Sequence, residues 1–162
     1  MLKSIMGSKC CHSSLSEQNI KDLLTELGLN KTKLKIEILQ IISNSKIPIS
    51  VPEIYGELSD KCDISSVFRS ISQFKEKKLI SEVNLDEGFL RYELTSLKKN
   101  HHHHHILCRR CGEIKNLEEC DLDIFEKALS KLGYTHMEHR LEFTGLCSKC
   151  SQKFKTETER QE

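Results

Sequence analysis

The sequence predicts an α+β fold of two units, in which four helices and a β-hairpin precede a smaller α/β unit. Three observations support this prediction. Apolar residues recur at helical spacing between residues 16 and 77. Two short strand-like segments then flank a turn at Asp86-Glu87-Gly88. Metal-ligating residues crowd the second half, where seven of the 8 His and five of the 8 Cys lie between His101 and Cys150.

The composition limits the number of domains and the classes of partner that the chain can have. The chain has 162 residues, 37% of them hydrophobic and 30% charged, which suits one ordinary domain or two small ones. The net charge of +1 gives no sign of a nucleic-acid partner, so any basic surface must be local. No apolar run is long enough for a transmembrane helix, and residues 1–16 lack a signal-peptide pattern. We therefore expect a cytoplasmic protein without a membrane partner, in which clustered cysteines serve metal or redox chemistry rather than disulfides.

The first half is predicted to form a helical unit over residues 16–95, after a flexible tail at 1–15. The first helix starts near Ser16 and stops at Gly28, and the second runs from about 32 to 43. Ser50 caps a third helix, because Glu53 three residues later completes a capping box. The fourth helix is predicted at about 65–77, and strands are predicted at 79–83 and 89–94.

Several helices followed by a hairpin is the layout of a winged helix-turn-helix. In that layout the last helix enters the major groove of DNA and the hairpin touches the backbone. Residues 61–80 carry five basic side chains against two acidic ones, a local excess that suits contacts with phosphates. An ordinary solvated helix face would explain the same charges.

The second unit is predicted to cover residues 101–150, after a polar hinge at 96–100 and before a polar C-terminal tail at 151–162. We expect strands at 101–108, 113–117 and 134–143, and a helix at about 122–132.

Two CxxC pairs are the strongest chemical signal. Cys108 and Cys111 form the first pair, and Cys147 and Cys150 form the second. Each pair turns two sulfurs toward one point, and four thiolates suit tetrahedral Zn²⁺. Such a shell is full, so we predict a structural site without an open position for catalysis. Redox-active CxxC pairs are the main alternative.

Five consecutive histidines, 101–105, are the second signal. In a strand they alternate, which puts His103 and His105 on one face and His102 and His104 on the other. Side chains that could complete a site there are Glu93, Asp123, His136 and His139. Ligands of this kind suit Zn²⁺, Fe²⁺, Mn²⁺ or Co²⁺. The alternative is a histidine-rich surface that binds metal adventitiously.

The sequence resembles the ferric uptake regulator (Fur) family of bacterial metal-dependent transcription factors. The motifs that carry the resemblance are Arg91-Tyr-Glu-Leu, HHHHHILCRRCG from His101, and HRLEFTGLCSKC from His139. The segment ISSVFRSISQF, residues 64–74, is similar to the family's recognition helix. The resemblance covers about residues 27–150. It implies an N-terminal winged-helix DNA-binding domain and a C-terminal α/β dimerisation domain.

The resemblance also implies residue roles. The structural zinc ligands would be Cys108, Cys111, Cys147 and Cys150. A second metal site would use His102, His104, Asp123 and His139. A partial regulatory site would use Glu93, His103 and His105. Contacts with DNA would involve Lys35, Tyr55, Ser65, Ser66, Phe68 and Arg69.

The chain departs from the family pattern at several of these positions. The regulatory site usually includes a His before the third helix, where this chain has Ile47-Pro48, and an acid where it has Asn116. Cys10, Cys11 or His12 could substitute from the tail. Phe68 replaces the usual Tyr, and Lys35 replaces an Arg and so loses a bidentate donor.

The sequence therefore predicts a homodimeric, metal-responsive regulator that binds a palindromic operator in double-stranded DNA, most simply as a repressor of metal-homeostasis genes. We expect structural Zn²⁺ and a second regulatory metal, Fe²⁺ first, then Zn²⁺ or Mn²⁺. Zinc-uptake and peroxide-responsive regulation are alternatives within the family, and a metal store without DNA binding is an alternative outside it. We expect neither enzyme activity nor a small-molecule substrate.

Overall fold

The computed structural model describes residues 14–95, 104–117, 122–137, 139 and 141–158. The chain divides into two compact units, Met1–His101 and His102–Glu162. The predicted hinge at 96–100 lies outside the described residues. The predicted N-terminal tail at 1–15 also lies outside them, except for Ser14 and Leu15. Leu15 is buried, and its N–H donates to Ser43 Oγ at 3.4 Å, so this end of the predicted tail belongs to the core.

Among the described residues of the first unit there are four helices and three strands. They are α1 (Glu17–Glu26), α2 (Lys33–Asn44), β1 (Ile49–Ser50), α3 (Val51–Glu57), α4 (Ile64–Glu76), β2 (Ile80–Asn84) and β3 (Leu90–Leu94). Side-chain oxygens cap the helices, because Ser16, Thr32, Ser50 and Asp63 each accept a hydrogen bond from a first-turn N–H. The predicted capping box of Ser50 and Glu53 is present.

The core of this unit forms where the apolar faces of the helices meet. The largest fully buried side chains include Ile20, Leu24, Ile38, Leu39, Ile54, Ile71 and Phe74. They recur at the helical spacing seen in the sequence, so each helix turns one stripe inward. The remaining faces of α4 stay available to solvent.

A three-stranded sheet closes the unit in the order β1-β3-β2. The hairpin of β2 and β3 pairs Ile80 with Leu94 and Asn84 with Leu90. Its turn contains Asp86 and Gly88 with φ of +58° and +83°, a backbone region that suits glycine. The two-residue strand β1, absent from the sequence prediction, pairs with Arg91 and Tyr92 of β3. The predicted hairpin is therefore present and carries a third, short strand.

Arg91 is a buried charged residue that joins three parts of this unit. Its guanidinium donates to Glu53 Oε2 at 2.8 Å and to Glu87 Oε2 at 2.6 Å. It also donates to the carbonyl of Pro48 at 3.3 Å. Since Arg91 is only 7% exposed, these partners compensate the cost of burying its charge.

The part of the second unit that the structure describes has three strands and two helices. They are β4 (His104–Cys108), β5 (Ile114–Leu117), α5 (Asp123–Lys131), β6 (Glu142–Gly145) and α6 (Ser148–Thr158). The strand order is β5-β4-β6, with β4 antiparallel to β5 and parallel to β6. The central strand β4 thus carries His104 and His105 between two neighbours.

Two elements of the second unit differ from the prediction. The strand predicted at 134–143 begins only at Glu142, after left-handed backbone at Gly133 and His136 (φ +88° and +55°). The segment predicted as a polar tail continues instead as α6. That helix starts within the second CxxC pair, where Ser151 N–H donates to Cys147 O at 2.8 Å. Residues 151–158 contain neither Gly nor Pro, so nothing stops the helix there.

None of the helices in the described part of the chain is long and apolar enough to cross a lipid bilayer.

Candidate metal centre and nucleic-acid interface

Four cysteines converge at one end of the second unit. The Sγ atoms of Cys108, Cys111, Cys147 and Cys150 all lie within 4.8 Å of one another. The first pair begins at the last residue of β4, and the chain after it turns through Gly112, whose φ is +72°. The second pair lies where β6 leads into α6. Cys108 and Cys150 are buried, at 4% and 7% exposure.

Backbone N–H groups donate hydrogen bonds to the cluster and favour the thiolate form of Cys108, which binds cations. Cys147 N–H donates to Cys108 Sγ at 3.2 Å. Together with backbone hydrogen bonds from Cys111 and Arg110, it lowers the pKa of Cys108 to about 6. Burial has the opposite effect on Cys150 and raises the pKa of its thiol. A thiolate among close sulfurs favours a thiophilic cation, so the geometry and the donor set are compatible with structural zinc.

His104 and His105 are adjacent buried residues of β4, 3% and 2% exposed, and strand alternation sends them to opposite faces. The Nδ1 atom of His104 lies 3.2 Å from the carbonyl oxygen of Leu141. Because a carbonyl only accepts, Nδ1 donates, and Nε2 keeps the lone pair in the neutral ring. His104 is therefore oriented as an Nε2 ligand.

The second predicted metal set is only partly described. The rings of His104 and His139 lie 5.3 Å apart between centroids. Asp123 is exposed in the first turn of α5, and His102 lies outside the described residues. Within the described parts of the chain, the four cysteines are the one group of three or more His, Cys, Asp or Glu ligands that converges. His136, also considered from the sequence, is exposed and lies 3.3 Å from Thr135 Oγ1.

The partial regulatory set is divided between the two units. Glu93 is half-buried on β3, where it accepts from Ser81 Oγ at 3.5 Å. His105 lies on β4 with Nδ1 3.1 Å from Asn116 Oδ1. His103, and the substitute ligands proposed from the tail, Cys10, Cys11 and His12, lie outside the described residues.

The outward face of α4 carries most of the predicted DNA-contacting residues. Ser65, Phe68 and Arg69 are exposed, while Val67 and Phe74 of the same helix are buried. Phe68 is 50% exposed, a large apolar ring on a solvent-facing helix surface. Ser66 is half-buried, and its carbonyl accepts from Ser70 Oγ at 2.9 Å. The helix thus offers hydroxyl, guanidinium and aromatic groups together.

The other two predicted DNA contacts lie on different helices. Tyr55 is half-buried in α3, where its hydroxyl donates to the carbonyl of Cys62 at 3.1 Å. Lys61 Nζ lies 5.0 Å from the centre of the same ring. Lys35 is half-buried in the first turn of α2. Tyr55 therefore keeps only the lone pairs of its oxygen for a further partner.

The tip of the hairpin carries acidic and apolar side chains. It carries Asp86 and Glu87, and Glu87 is paired with Arg91. Beside them Phe89 and Leu90 are 44% and 40% exposed. The described wing tip is acidic and apolar, which does not suit a phosphate contact.

Comparison with known proteins decides the family. The family model described as "Ferric uptake regulator family" matches residues 26–144. The chain belongs to this family. Fur-family proteins are metal-binding and DNA-binding regulators of transcription, with variants for iron, peroxide, zinc and manganese.

Individual Fur proteins match over most of their length. The ferric uptake regulation protein of Bacillus subtilis is 29% identical over 117 residues, covering 70% of this chain and 78% of the relative. The peroxide operon regulator of the same organism is 27% identical over 136 residues, covering 82% and 91%. The Helicobacter pylori ferric uptake regulator, whose structure is described as having three functional metal binding sites, matches with a TM-score of 0.69 at 22% identity. That match covers 85% of this chain and 95% of the other, and it supports the Fur fold.

The exposed apolar side chains of the second unit are a feature of this Fur-family chain that its sequence did not predict. Large apolar side chains are exposed in the second unit, at Ile124 81%, Phe125 65%, Leu132 73%, Tyr134 62% and Phe143 44%. No residue of α5 is buried, although its apolar residues follow a helical period. The helical period of α5 is readable from the sequence, but the exposure of its apolar residues is not. Exposed apolar residues that form one patch mark an interaction site.

Proposed function

We propose that this protein is a metal-responsive repressor of the Fur family that binds a palindromic operator as a homodimer. The observation that carries the proposal is the outward face of α4, where Ser65, Phe68 and Arg69 are exposed in a chain whose family regulates transcription. Arg69 can bind a guanine edge or a phosphate, and Phe68 can contact a thymine methyl group. Iron ranks first as the signal, because several similar proteins are named ferric uptake regulation proteins.

Zinc is proposed as the occupant of the four-cysteine cluster. Zn²⁺ would fill its tetrahedral shell with Cys108, Cys111, Cys147 and Cys150 and would supply structural cross-linking rather than catalysis. The cluster joins the turn after β4 to the start of α6. The small second unit has few fully buried side chains among its described residues, so a bound metal would add stability that its core lacks.

A second metal is proposed at the histidines. His102, His104, Asp123 and His139 form one candidate set, and Glu93, His103 and His105 form the other. Support for the first comes from His104, whose bond to Leu141 O leaves Nε2 as its ligand atom, and from the neighbouring His139 ring. Fe²⁺, Zn²⁺ and Mn²⁺ are the candidate metals.

The homodimer is proposed to form through the exposed apolar residues of α5 and β6. Ile124 and Phe125 lie in the first turn of α5, and Phe143 lies on β6, which is an edge strand in the described sheet. A second copy would bury these residues and would supply a second recognition helix. Two such helices match the two half-sites of a palindrome.

Metal would regulate DNA binding by population shift. A metal acts as co-repressor only if it binds the DNA-competent arrangement of the dimer more tightly than the other arrangement. When the metal is scarce, most dimers return to the arrangement that does not bind DNA, and the operator is released.

The test is a DNA-binding titration with promoter DNA from the protein's own genome at fixed salt. Chelator-treated, zinc-retaining protein is compared with protein supplied with Fe²⁺, Mn²⁺ or additional Zn²⁺, and Arg69→Ala serves as the DNA-contact control. Tight binding with one metal supports the proposal and names the signal. Equal binding with and without metal contradicts a metal-responsive function, and no sequence-specific binding under any condition contradicts a DNA-binding one.

A peroxide-responsive function is the second candidate, since the peroxide operon regulator matches 82% of this chain. It is tested by adding hydrogen peroxide to the Fe²⁺-loaded and Mn²⁺-loaded complexes with DNA. Release from the Fe²⁺ complex alone would favour this candidate.

A further inference from the structure

Three residues form a row across the sheet of the second unit. His105 lies on the central strand β4, opposite Asn116 of β5 on one side and Glu142 of β6 on the other. Partners in register on neighbouring strands project to the same face of a sheet. His105 is therefore flanked on a single face by an amide and by a carboxylate.

Asn116 holds the ring from one side. Its Oδ1 lies 3.1 Å from His105 Nδ1, and an amide oxygen accepts hydrogen bonds, so the ring nitrogen donates. The neutral ring then carries its lone pair on Nε2, which is the form that binds a metal. This contact uses Asn116 to orient His105, which is a different role from that of a metal ligand.

Glu142 supplies a carboxylate, which the amide of Asn116 does not. It is an exposed acid on β6, an edge strand of the described sheet, one strand spacing of about 4.8 Å from β4. Imidazole nitrogen combined with carboxylate oxygen suits Fe²⁺, Mn²⁺, Co²⁺ and Zn²⁺. The sequence alone does not indicate Glu142 as a ligand, because its position beside His105 depends on the parallel pairing of β4 and β6.

We propose that Glu142 is the carboxylate ligand of a divalent metal bound at His105 Nε2, and that Asn116 is the positioning residue of that histidine. The inference rests on the proposed metal-sensing function. It places an imidazole and a carboxylate ligand together within the second unit, on two strands that are hydrogen-bonded to each other. The site therefore does not require a side-chain ligand from the Ile47-Pro48 segment.

The direct test is a Co²⁺ titration of the full-length protein with its cysteine cluster already loaded with zinc. Absorption bands of Co²⁺ bound by nitrogen and oxygen are weak and distinct from the intense sulfur-to-cobalt bands, so the two kinds of site are resolved. We expect Glu142→Gln to weaken Co²⁺ binding at least about tenfold and to change the band shape, since a ligand is lost. Glu126→Gln is the matched control, because Glu126 is also an exposed acid of this unit, on α5.

Glu142→Asp keeps the carboxylate and should recover part of the affinity, and far-UV circular dichroism should show that each variant is folded. Co²⁺ binding by folded Glu142→Gln with wild-type affinity and spectrum would overturn the assignment of Glu142. If Glu142→Gln does not fold, the comparison passes to Glu142→Asp, whose shorter side chain must still alter the band shape.

The positioning role of Asn116 is tested separately, by the tautomer of the His105 ring. In protein whose cysteine cluster holds zinc and to which no second metal has been added, ¹⁵N NMR of His105 should show the Nδ1–H tautomer, and Asn116→Ala should shift the ring toward Nε2–H. Asn116→Asp retains an acceptor and should restore the first tautomer. An unchanged tautomer in Asn116→Ala would overturn the positioning role. None of these measurements uses DNA, so failure of the operator titration and failure of this site are distinguishable.

Discussion

Arg91 of β3 donates from Nη1 to Glu53 Oε2 at 2.8 Å and so joins the hairpin to the start of α3. The same carboxylate accepts from Ser50 N–H at 2.8 Å and from Ser50 Oγ at 2.7 Å. One acid thus closes the capping box and pairs with a buried cation. The arrangement fixes the segment before α3, because Arg91 also binds the carbonyl of Pro48.

Replacing Arg91 with Met should destabilise the first unit. The change removes the guanidinium that neutralises Glu53 and Glu87, and both acids are left facing an apolar side chain. Glu53 keeps solvent contact, so we expect a loss of about 2–3 kcal/mol, below the cost of breaking a fully buried pair. Urea denaturation measures the free energy of unfolding. Lys61→Met is the control, and an equal loss in that variant would contradict the special role of Arg91.

Acid should weaken the same network. Burial by itself raises the pKa of Glu53, but hydrogen bonds from Ser50 and the pairing with Arg91 hold this pKa below its usual 4.5. A carboxyl with a depressed folded pKa stabilises the fold above its unfolded pKa, and the stabilisation is lost as pH falls through the folded value. Stability should therefore fall below about pH 4.5, and Glu53→Gln should show a smaller fall. Parallel pH curves for both proteins would refute this.

Replacing either of two phenylalanines of α4 with alanine should affect a different property, folding stability at Phe74 and operator binding at Phe68. Phe74 is fully buried and Phe68 is 50% exposed, one on each face of the helix. Phe74→Ala leaves a cavity and should cost about 3–5 kcal/mol of folding stability. Phe68→Ala should change stability by about 0.5 kcal/mol or less, and should weaken operator binding about tenfold by removing an apolar contact with a base. Thermal unfolding and a DNA titration of both variants check the contrast.

Loss of one cysteine of the cluster should release the metal. Cys150→Ser removes a buried sulfur and should lower the zinc content measured by elemental analysis from about one per chain to near zero. The second unit should then lose helix signal in far-UV circular dichroism, since α6 begins at this cluster. Cys62→Ser is the control, because Cys62 is half-buried in the first unit. Full zinc content in Cys150→Ser would exclude a four-cysteine site.

A charge placed on α5 should dissociate the proposed dimer. Phe125 is 65% exposed, and Phe125→Glu would bury an unpaired carboxylate in an interface between two copies. Sedimentation should then show a monomer at concentrations where the wild type is a dimer. Phe89→Glu places the same charge at an exposed apolar site of the first unit and should leave the dimer intact. A dimeric Phe125→Glu would move the interface elsewhere.

Local patterns in the sequence were reliable where short-range chemistry determines the structure. The cap of α3 follows from Ser50 and Glu53 alone, and the two CxxC pairs bring sulfurs together because the knuckle is a local turn. Pairings between strands that are distant in the chain leave no local pattern in the sequence. The position of Glu142 beside His105 depends on a parallel register, and the two-residue β1 exists only because β3 lies alongside it. The helix α6 begins within the second CxxC pair, at Ser148, and the polar composition of the residues after Cys150 does not predict it.

The cysteine cluster also has a consequence for chain entropy. It connects the ends of β4 and β6, and the segment between these ends contains β5 and α5 with its exposed apolar residues. A metal bound there closes a long loop in the unfolded chain, and by analogy with a disulfide this closure contributes roughly 4 kcal/mol. The surface through which two copies would meet therefore lies inside a metal-closed loop. Zinc supply would then govern how many chains can pair, in addition to how well each one folds.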